Sequence, residues 1–148
     1  MSFFEIGIFA PVHQENIGTL WRSAYQSGAI GIFTIGKGQR IQASDTARSH
    51  LQIPLRNYQT WEDFLQHRPV GAQIIAVEMG GKPLKEFQHP DRAIYVLGSE
   101  ANGFPDYVLN QCDQVVSIES VRHPSYNVAV AGSIVMYHRL THLGLEEE

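Results

Sequence analysis

Three short clusters of polar residues and glycines carry the side chains that could do chemistry. The first holds Asn16 and Arg22, an amide and a cation six residues apart. We place both in one helix, nearly two turns apart and facing roughly similar directions. Asn16 could equally serve as the N-cap of that helix, and Arg22 could be a partly buried ion-pair partner. The cluster alone therefore favours a structural role over a functional one.

The second cluster is Gly98, Glu100 and Gly103, which directly follow a predicted buried strand. Two glycines beside a carboxylate allow the backbone to approach a ligand closely. The alternative is a strand-to-helix turn with Gly103 in a left-handed conformation. The spacing is neither that of a dinucleotide-binding glycine motif nor that of a P-loop, which also needs a lysine.

The third cluster is Ser125 and Asn127, which precede a predicted helix that begins with small residues. Little side-chain bulk there would allow another backbone segment or a ligand to approach. A capped helix packed tightly on a sheet is the alternative. The small residues are Ala129, Ala131, Gly132 and Ser133.

These clusters need a scaffold, and the chain predicts an alternation of strands and helices. Such an alternation indicates an α/β domain with a mostly parallel sheet, in which ligands bind beyond the carboxyl ends of the strands. The segments that follow strands are 13–22, 78–82, 98–104 and 119–127. We predict strands over 3–10, 30–35, 55–58, 72–77, 93–97 and 114–118, and helices over 16–27, 44–50, from 60, over 105–112 and over 127–143.

The helix over 16–27 has the clearest pattern of all predicted elements. Its apolar residues recur at helical spacing, and Gly28 is placed to end it. The helix near 60 begins with Thr60, in a sequence similar to a capping box. The apolar positions of the first helix are Ile17, Leu20, Trp21, Ala24 and Tyr25.

The overall composition limits the class of protein. The chain of 148 residues is 43% hydrophobic and 18% charged, which fits one globular domain. It shows no basic leader and no apolar run of about 18 residues, so we expect a cytoplasmic protein. The single cysteine, Cys112, lacks an evident histidine partner for nucleophilic catalysis. His138 and His142 are four residues apart but lack a third ligand, so we do not expect a metal enzyme.

The formal net charge of −4 does not decide whether the protein binds nucleic acid. Phosphate contacts depend on local cations, which a global count does not measure. Scattered surface charge is the alternative to a cluster. The arginines that could converge are Arg22, Arg40, Arg48, Arg56 and Arg122.

In their order and spacing, the three clusters together resemble the SpoU (TrmH-type) branch of the SPOUT methyltransferases over most of the chain. The first motif of that family, Asn-x-Gly-x-x-x-Arg-x-Ala, is matched by Asn16, Gly18, Arg22 and Ala24. The second, Leu-Gly-x-Glu-x-x-Gly, is matched from Leu97 to Gly103. The third ends in Ser-Leu-Asn-Val before an alanine-rich helix, and here Tyr126 replaces the leucine and Glu119-Ser120 replaces the usual Pro-Met.

The resemblance implies an α/β fold with a C-terminal trefoil knot that holds S-adenosylmethionine. It implies catalytic roles for Asn16, Arg22, Glu100, Ser125 and Asn127. Arg22 would activate the acceptor hydroxyl, Asn16 would orient Arg22 or the ribose, and Glu100 would fix the hydrogen-bond network. The implied cofactor-binding residues are Val77, Gly98, Ile118, Tyr126 and Val128.

The implied reaction is methylation of a ribose 2′-hydroxyl in RNA by a homodimer. We expect tRNA as the substrate, with rRNA second, and a single domain over residues 1–148 without an appended RNA-binding domain. One alternative is a base-methylating SPOUT enzyme that acts on tRNA or rRNA. Another is a non-catalytic RNA-binding module of the same fold.

Overall fold

The fold is built on a six-stranded parallel sheet, as the alternation of elements predicts. The computed structural model describes residues 1–36 and 52–144. The strands lie in the order β3-β2-β1-β5-β4-β6, and every neighbouring pair is parallel. The elements are β1 (Phe3–Phe9), α1 (Gln14–Ser27), β2 (Gly31–Ile35), β3 (Leu55–Tyr58), α2 (Trp61–His67), β4 (Gln73–Pro83), a 3₁₀ turn (Leu84–Glu86), β5 (Arg92–Leu97), α3 (Asp106–Leu109), β6 (Gln114–Ser117) and α4 (Val128–Leu143).

Helices cover both faces of the sheet and bury its central strands. One core cluster joins β1 and β5 to Leu20 of α1 and Met136 of α4. The other lies against Phe64 of α2 and Val108 of α3. Residues 93–97 of β5 are buried throughout, which confirms the prediction that this apolar run is a strand covered on both faces.

Helix α1 begins two residues earlier than predicted. His13 occupies the N-cap position, and the backbone N–H of Asn16 donates to the His13 carbonyl at 3.2 Å. Asn16 therefore lies inside the first turn, which rules out the N-cap role. Gly28 ends the helix in the left-handed conformation, with φ of 90°, as predicted.

Helix α4 packs closely on α1 through its small residues. A Cβ added to Gly132 would lie 2.5 Å from Leu20 Cδ1 and 3.0 Å from Leu97 Cδ1, so a side chain there would have to displace these leucines. The Ser133 hydroxyl donates to that of Ser23 on α1 at 2.9 Å. The small residues thus allow the close packing that the sequence suggested.

Two further predicted boundaries were wrong, and one predicted element lies outside the described residues. Strand β4 continues to Pro83 because its pairing with β6 resumes after a register break between Val77 and Lys82. The helix predicted over 105–112 is the single turn α3. The predicted helix over 44–50 lies outside the described residues. Within 1–36 and 52–144, no helix is long and apolar enough to cross a membrane.

Candidate functional site

The carboxyl ends of the central strands surround one cavity of about 820 Å³. Parallel strands bring the loops that follow them to the same edge of the sheet, where ligands bind in such folds. The wall contains residues 77–80 inside β4 and residues that follow β1, β5 and β6, together with the loop that leads into α4. Nine of the ten predicted site residues line it: Asn16, Glu100, Ser125, Asn127, Val77, Gly98, Ile118, Tyr126 and Val128.

Glu100 lies at the centre of a hydrogen-bond network in the cavity wall. Its Oε2 accepts the backbone N–H of His13 at 2.9 Å and the Nδ2 of Asn16 at 3.0 Å. The backbone N–H of Val12 donates to its Oε1 at 3.1 Å. Burial opposes ionisation of this carboxyl, but the donated hydrogen bonds outweigh burial and hold its pKa below the usual value.

Asn16 and Asn127 extend this network from the second cluster to the other two. Asn16 is buried, with 7% of its surface exposed. Its Oδ1 accepts from the Nδ2 of Asn127 at 3.1 Å, while the Oδ1 of Asn127 caps α4 by accepting from the backbone N–H of Val130 at 3.2 Å. A continuous relay therefore joins the three sequence clusters, which are far apart along the chain.

The two departures from the family pattern interact with each other in the loop over 118–127. The Tyr126 hydroxyl donates to the Glu119 backbone carbonyl at 2.6 Å. The Glu119 carboxylate in turn accepts the backbone N–H of Lys85 at 3.2 Å. These contacts join the two ends of the loop and connect it to the 3₁₀ turn.

Arg22 is the one predicted site residue that does not line the cavity of its own chain. It lies exposed on α1, whereas Asn16 on the same helix is buried. The expectation that the two face similar directions was wrong. Six residues at about 100° each leave their side chains roughly 120° apart. Within one chain, Asn16 bonds to Glu100 and Asn127 and is not placed to orient Arg22.

The structure describes three of the five arginines that could converge, including Arg22. Arg56 lies 3.7 Å from the buried carboxylate of Glu5 on β1, so its charge is engaged on a face of the sheet. Arg122 is exposed in the loop before α4. Arg40 and Arg48 lie outside the described residues.

The lining also contains ionisable residues that the sequence analysis did not select as site residues, His13 and Glu78. The backbone N–H of His13 is held by Glu100, and its side chain is 56% exposed. Glu78 lies in β4 at the register break with β6, and it belongs to the segment 78–82 that the strand-end rule marked. Its neighbour Val77 was selected, but the acidic residue was not.

His89 joins the histidine pair noted in the sequence, at a distance from the cavity. Its Nε2 lies 2.7 Å from the Nδ1 of His138, and its Nδ1 lies 2.6 Å from the Tyr95 hydroxyl. Burial, with smaller effects of nearby His138, Arg139 and His142, lowers the pKa of His89 to about 3. No group of three or more His, Cys, Asp or Glu side chains among the described residues is arranged so that it could hold a metal ion.

Cys112 lies in the turn after α3, half-buried, and its Sγ donates to the Val108 carbonyl at 3.3 Å. Burial, with a contribution from Asp113, raises the pKa of this thiol to about 11. The thiol therefore stays protonated at neutral pH, where a nucleophile would need to be a thiolate.

Comparison with known proteins identifies the family. The model of the SpoU rRNA methylase family matches residues 4–137, which include all three clusters and every strand of the sheet. The chain belongs to the SpoU family. The resemblance noted from its motifs is thereby confirmed.

Relatives of this SpoU chain include larger proteins. An uncharacterised tRNA/rRNA methyltransferase of Mycobacterium avium is 30% identical over 138 residues, which cover 82% of this chain and 42% of the relative. The 23S rRNA (guanosine(2553)-2′-O)-methyltransferase RlmP of Bacillus subtilis is 25% identical over 130 residues, covering 83% of this chain and 52% of RlmP. The chain thus spans about half or less of the length of these relatives.

Solved structures support the SpoU fold. An AdoMet-bound rRNA methyltransferase from Sinorhizobium meliloti superposes with a TM-score of 0.83 at 24% identity, covering 97% of this chain and 58% of that one. A protein solved for insight into 2-OH methylation of C/U34 on tRNA gives a TM-score of 0.83 at 23% identity, covering 96% and 97%. At these identities the likeness establishes the fold. S-adenosylmethionine is the methyl donor of the family.

Proposed function

We propose that this protein is an S-adenosylmethionine-dependent RNA methyltransferase that methylates a ribose 2′-hydroxyl. The observation that carries the proposal is the relay from Glu100 through Asn16 to Asn127. It joins the three family motifs along the wall of a single cavity. Unpaired nucleotides in tRNA are the favoured target, because proteins read RNA mainly in unpaired segments and by shape.

The cavity suits the donor in its chemistry. Its lining contains two carboxylates, Glu78 and Glu100, and no lysine or arginine among the described residues, so it favours a cationic ligand. When bound, the donor supplies an electrophilic methyl group on a sulfonium cation. The residues we assign to its binding are Val77, Gly98, Ile118, Tyr126 and Val128.

The chain must orient the acceptor hydroxyl and handle its proton. Arginine side chains remain protonated near neutral pH, so we assign Arg22 a role as a cation. It binds the adjacent phosphate and stabilises the developing alkoxide, and the hydroxyl proton passes to water or phosphate. Ser125 and Asn127 position Arg22 and the cofactor loop, and Glu100 keeps Asn16 in place.

A second copy of the chain would bring Arg22 to a cavity. Apolar side chains are exposed on the same two helices: Tyr25 on α1 is 45% exposed, and Val130 and Tyr137 on α4 are 46% and 68% exposed. Tyr25 lies three residues after Arg22, on the same side of α1. We propose a closed two-fold dimer through these helices, in which each Arg22 enters the cavity of the other copy. A monomer by light scattering at working concentration would contradict it.

The C-terminal trefoil knot is part of the same proposal. Its support is the position of the loop over 118–127, part of which lines the cavity beside residues 77–80 of β4 and the residues that follow β5. The Ser117 hydroxyl also donates to the Gly81 carbonyl at 2.9 Å. An experimental structure that traces this loop without threading would contradict the knot.

The direct test uses methyl-labelled donor with total tRNA and, separately, with rRNA. A 2′-O-methyl group protects the adjacent phosphodiester from alkaline hydrolysis, whereas a methylated base does not. We expect one label-bearing, alkali-resistant dinucleotide. Label confined to alkali-sensitive nucleotides would indicate the base-methylating alternative. The absence of label in every RNA would favour the alternative of a non-catalytic RNA-binding module.

Two substitutions test the assigned residues. We expect Asn16→Ala and Arg22→Ala each to abolish most turnover while the fold is retained. Arg22→Lys keeps the positive charge, so it should keep part of the turnover, with an unchanged pH profile. The exposed Arg92, at the start of β5, provides the control Arg92→Ala, which should stay close to wild type. Near-normal rates in both alanine variants would remove the catalytic assignment.

A further inference from the structure

Glu78 is a cavity carboxylate to which the proposed reaction gives no role. It follows Val77, the last residue of β4 before the register break with β6, and it lines the cavity. Its Oε1 accepts the backbone N–H of Met79 at 2.9 Å. Its Oε2 points towards the second motif, where a Cβ added to Gly103 would lie 2.8 Å from this oxygen. The glycine of the motif therefore leaves room for the Glu78 carboxylate.

The two carboxylates of the cavity differ in how their oxygens are used. Glu100 accepts three donors from residues 12–16 and serves to hold the protein together. Glu78 accepts one backbone N–H from its own neighbour, and in the described part of the chain no lysine or arginine pairs with it. A half-buried carboxylate still favours hydrogen-bond donors, so Oε2 is open to a donor on a ligand.

We propose that Glu78 binds the ribose of the methyl donor by accepting its hydroxyl hydrogens. The inference rests on the proposed donor, but not on which RNA atom is methylated. Acidic side chains near the carboxyl ends of parallel strands accept ribose hydroxyls in other α/β nucleotide sites. Glu78 lies at such a position, its Oε2 can accept from a ligand, and Gly103 leaves space beside that oxygen.

Two other groups on the donor could also donate to a carboxylate: its ammonium and the amino group of its adenine. Two ligands separate the possibilities, because S-adenosylhomocysteine carries the ribose and both of these groups, whereas 5′-deoxy-5′-methylthionebularine, whose base is unsubstituted purine, carries the ribose and neither group. Neither ligand has the sulfonium charge, so the loss of negative charge in a Glu78 variant has little effect on their binding through the overall potential of the cavity. Equilibrium binding of each ligand is measured by calorimetry, without RNA and without turnover.

We expect Glu78→Ala to weaken both ligands by about 10- to 100-fold, as for the loss of hydrogen bonds to a charged acceptor. Glu78→Gln keeps an acceptor oxygen and should lose less. The control is Glu62→Gln, which removes an exposed carboxylate on α2 and should leave both constants unchanged. Thermal melting of each variant checks that the fold is retained.

Wild-type affinity for both ligands in both Glu78 variants would overturn the proposal. A loss seen with S-adenosylhomocysteine but not with 5′-deoxy-5′-methylthionebularine would also overturn it, because it would assign Glu78 to the ammonium or to the adenine amino group. Failure of the wild-type protein to bind either ligand would instead refute the proposed donor, and the two failures are therefore distinguishable.

Discussion

Replacing Glu100 by glutamine tests whether its network holds the cavity together. The carboxylate accepts three hydrogen bonds, from Val12, His13 and Asn16, at 2.9–3.1 Å. Hydrogen bonds to a charged group contribute about 1.5–3 kcal/mol each when well buried. Glu100 is only half-buried, and glutamine keeps one acceptor oxygen, so we expect a net loss of about 1–2 kcal/mol in the free energy of unfolding.

Urea unfolding at pH 7 measures this loss directly. Both tryptophans, Trp21 and Trp61, are buried, and their fluorescence reports unfolding. The control is Glu86→Gln, which changes an exposed carboxylate in the 3₁₀ turn and should lie within about 0.5 kcal/mol of wild type.

Urea unfolding at acid pH tests the direction in which the Glu100 contribution to stability changes with pH. The folded pKa of Glu100 lies below the ordinary value of 4.5, so its stabilising contribution is present above about pH 4.5 and is lost as the pH falls through the folded pKa. The difference between wild type and Glu100→Gln should therefore shrink towards acid pH. Equal stability at pH 7, or a difference that does not change with pH, would refute this account of the network.

Three further predictions concern the cavity loops and the buried histidine. Tyr126→Phe removes the hydroxyl that donates to the Glu119 carbonyl and should weaken donor binding a few-fold in calorimetry, with little loss of stability. Gly103→Ala places a methyl group against the Glu78 carboxylate at a φ of 64° and should cost about 1–3 kcal/mol in urea unfolding. His89 has a folded pKa near 3 against 6.5 when unfolded. The neutral His89 side chain therefore contributes fully to the free energy of unfolding above about pH 6.5, and this contribution is lost as the pH falls towards 3. His89→Gln should make the free energy of unfolding depend less on pH in this range.

The sequence predicted the sheet well because buried parallel strands leave a strong local signal. Residues 93–97 form a continuous apolar run, and the structure buries all of them. The start of α1 was misplaced because its N-cap, His13, makes no side-chain capping bond. The extension of β4 depends on pairing with β6 across a register break, a tertiary contact with no local sequence signature.

The site shows the same division between local pattern and three-dimensional arrangement. Motif spacing selected Asn16, Glu100 and Asn127, but their mutual hydrogen bonds arise only when loops distant in the chain meet. Glu78 was missed because a single acidic residue after a strand is common, and its meaning depends on the glycine opposite. The predicted direction of the Arg22 side chain was wrong because the six residues from Asn16 to Arg22 were counted as nearly two full turns, although they fall roughly 120° short of two turns.

The central claim is that one copy supplies the Asn16 network and the other supplies Arg22. Asn16→Ala and Arg22→Ala chains, each inactive alone, are mixed one to one after dissociation and allowed to reassociate. Half of the dimers would be mixed, and each mixed dimer would contain one intact site, so the account predicts recovery of about a quarter of wild-type methyl transfer to tRNA. Activity in the mixture no higher than in the separate variants, with exchange of subunits verified, would contradict it.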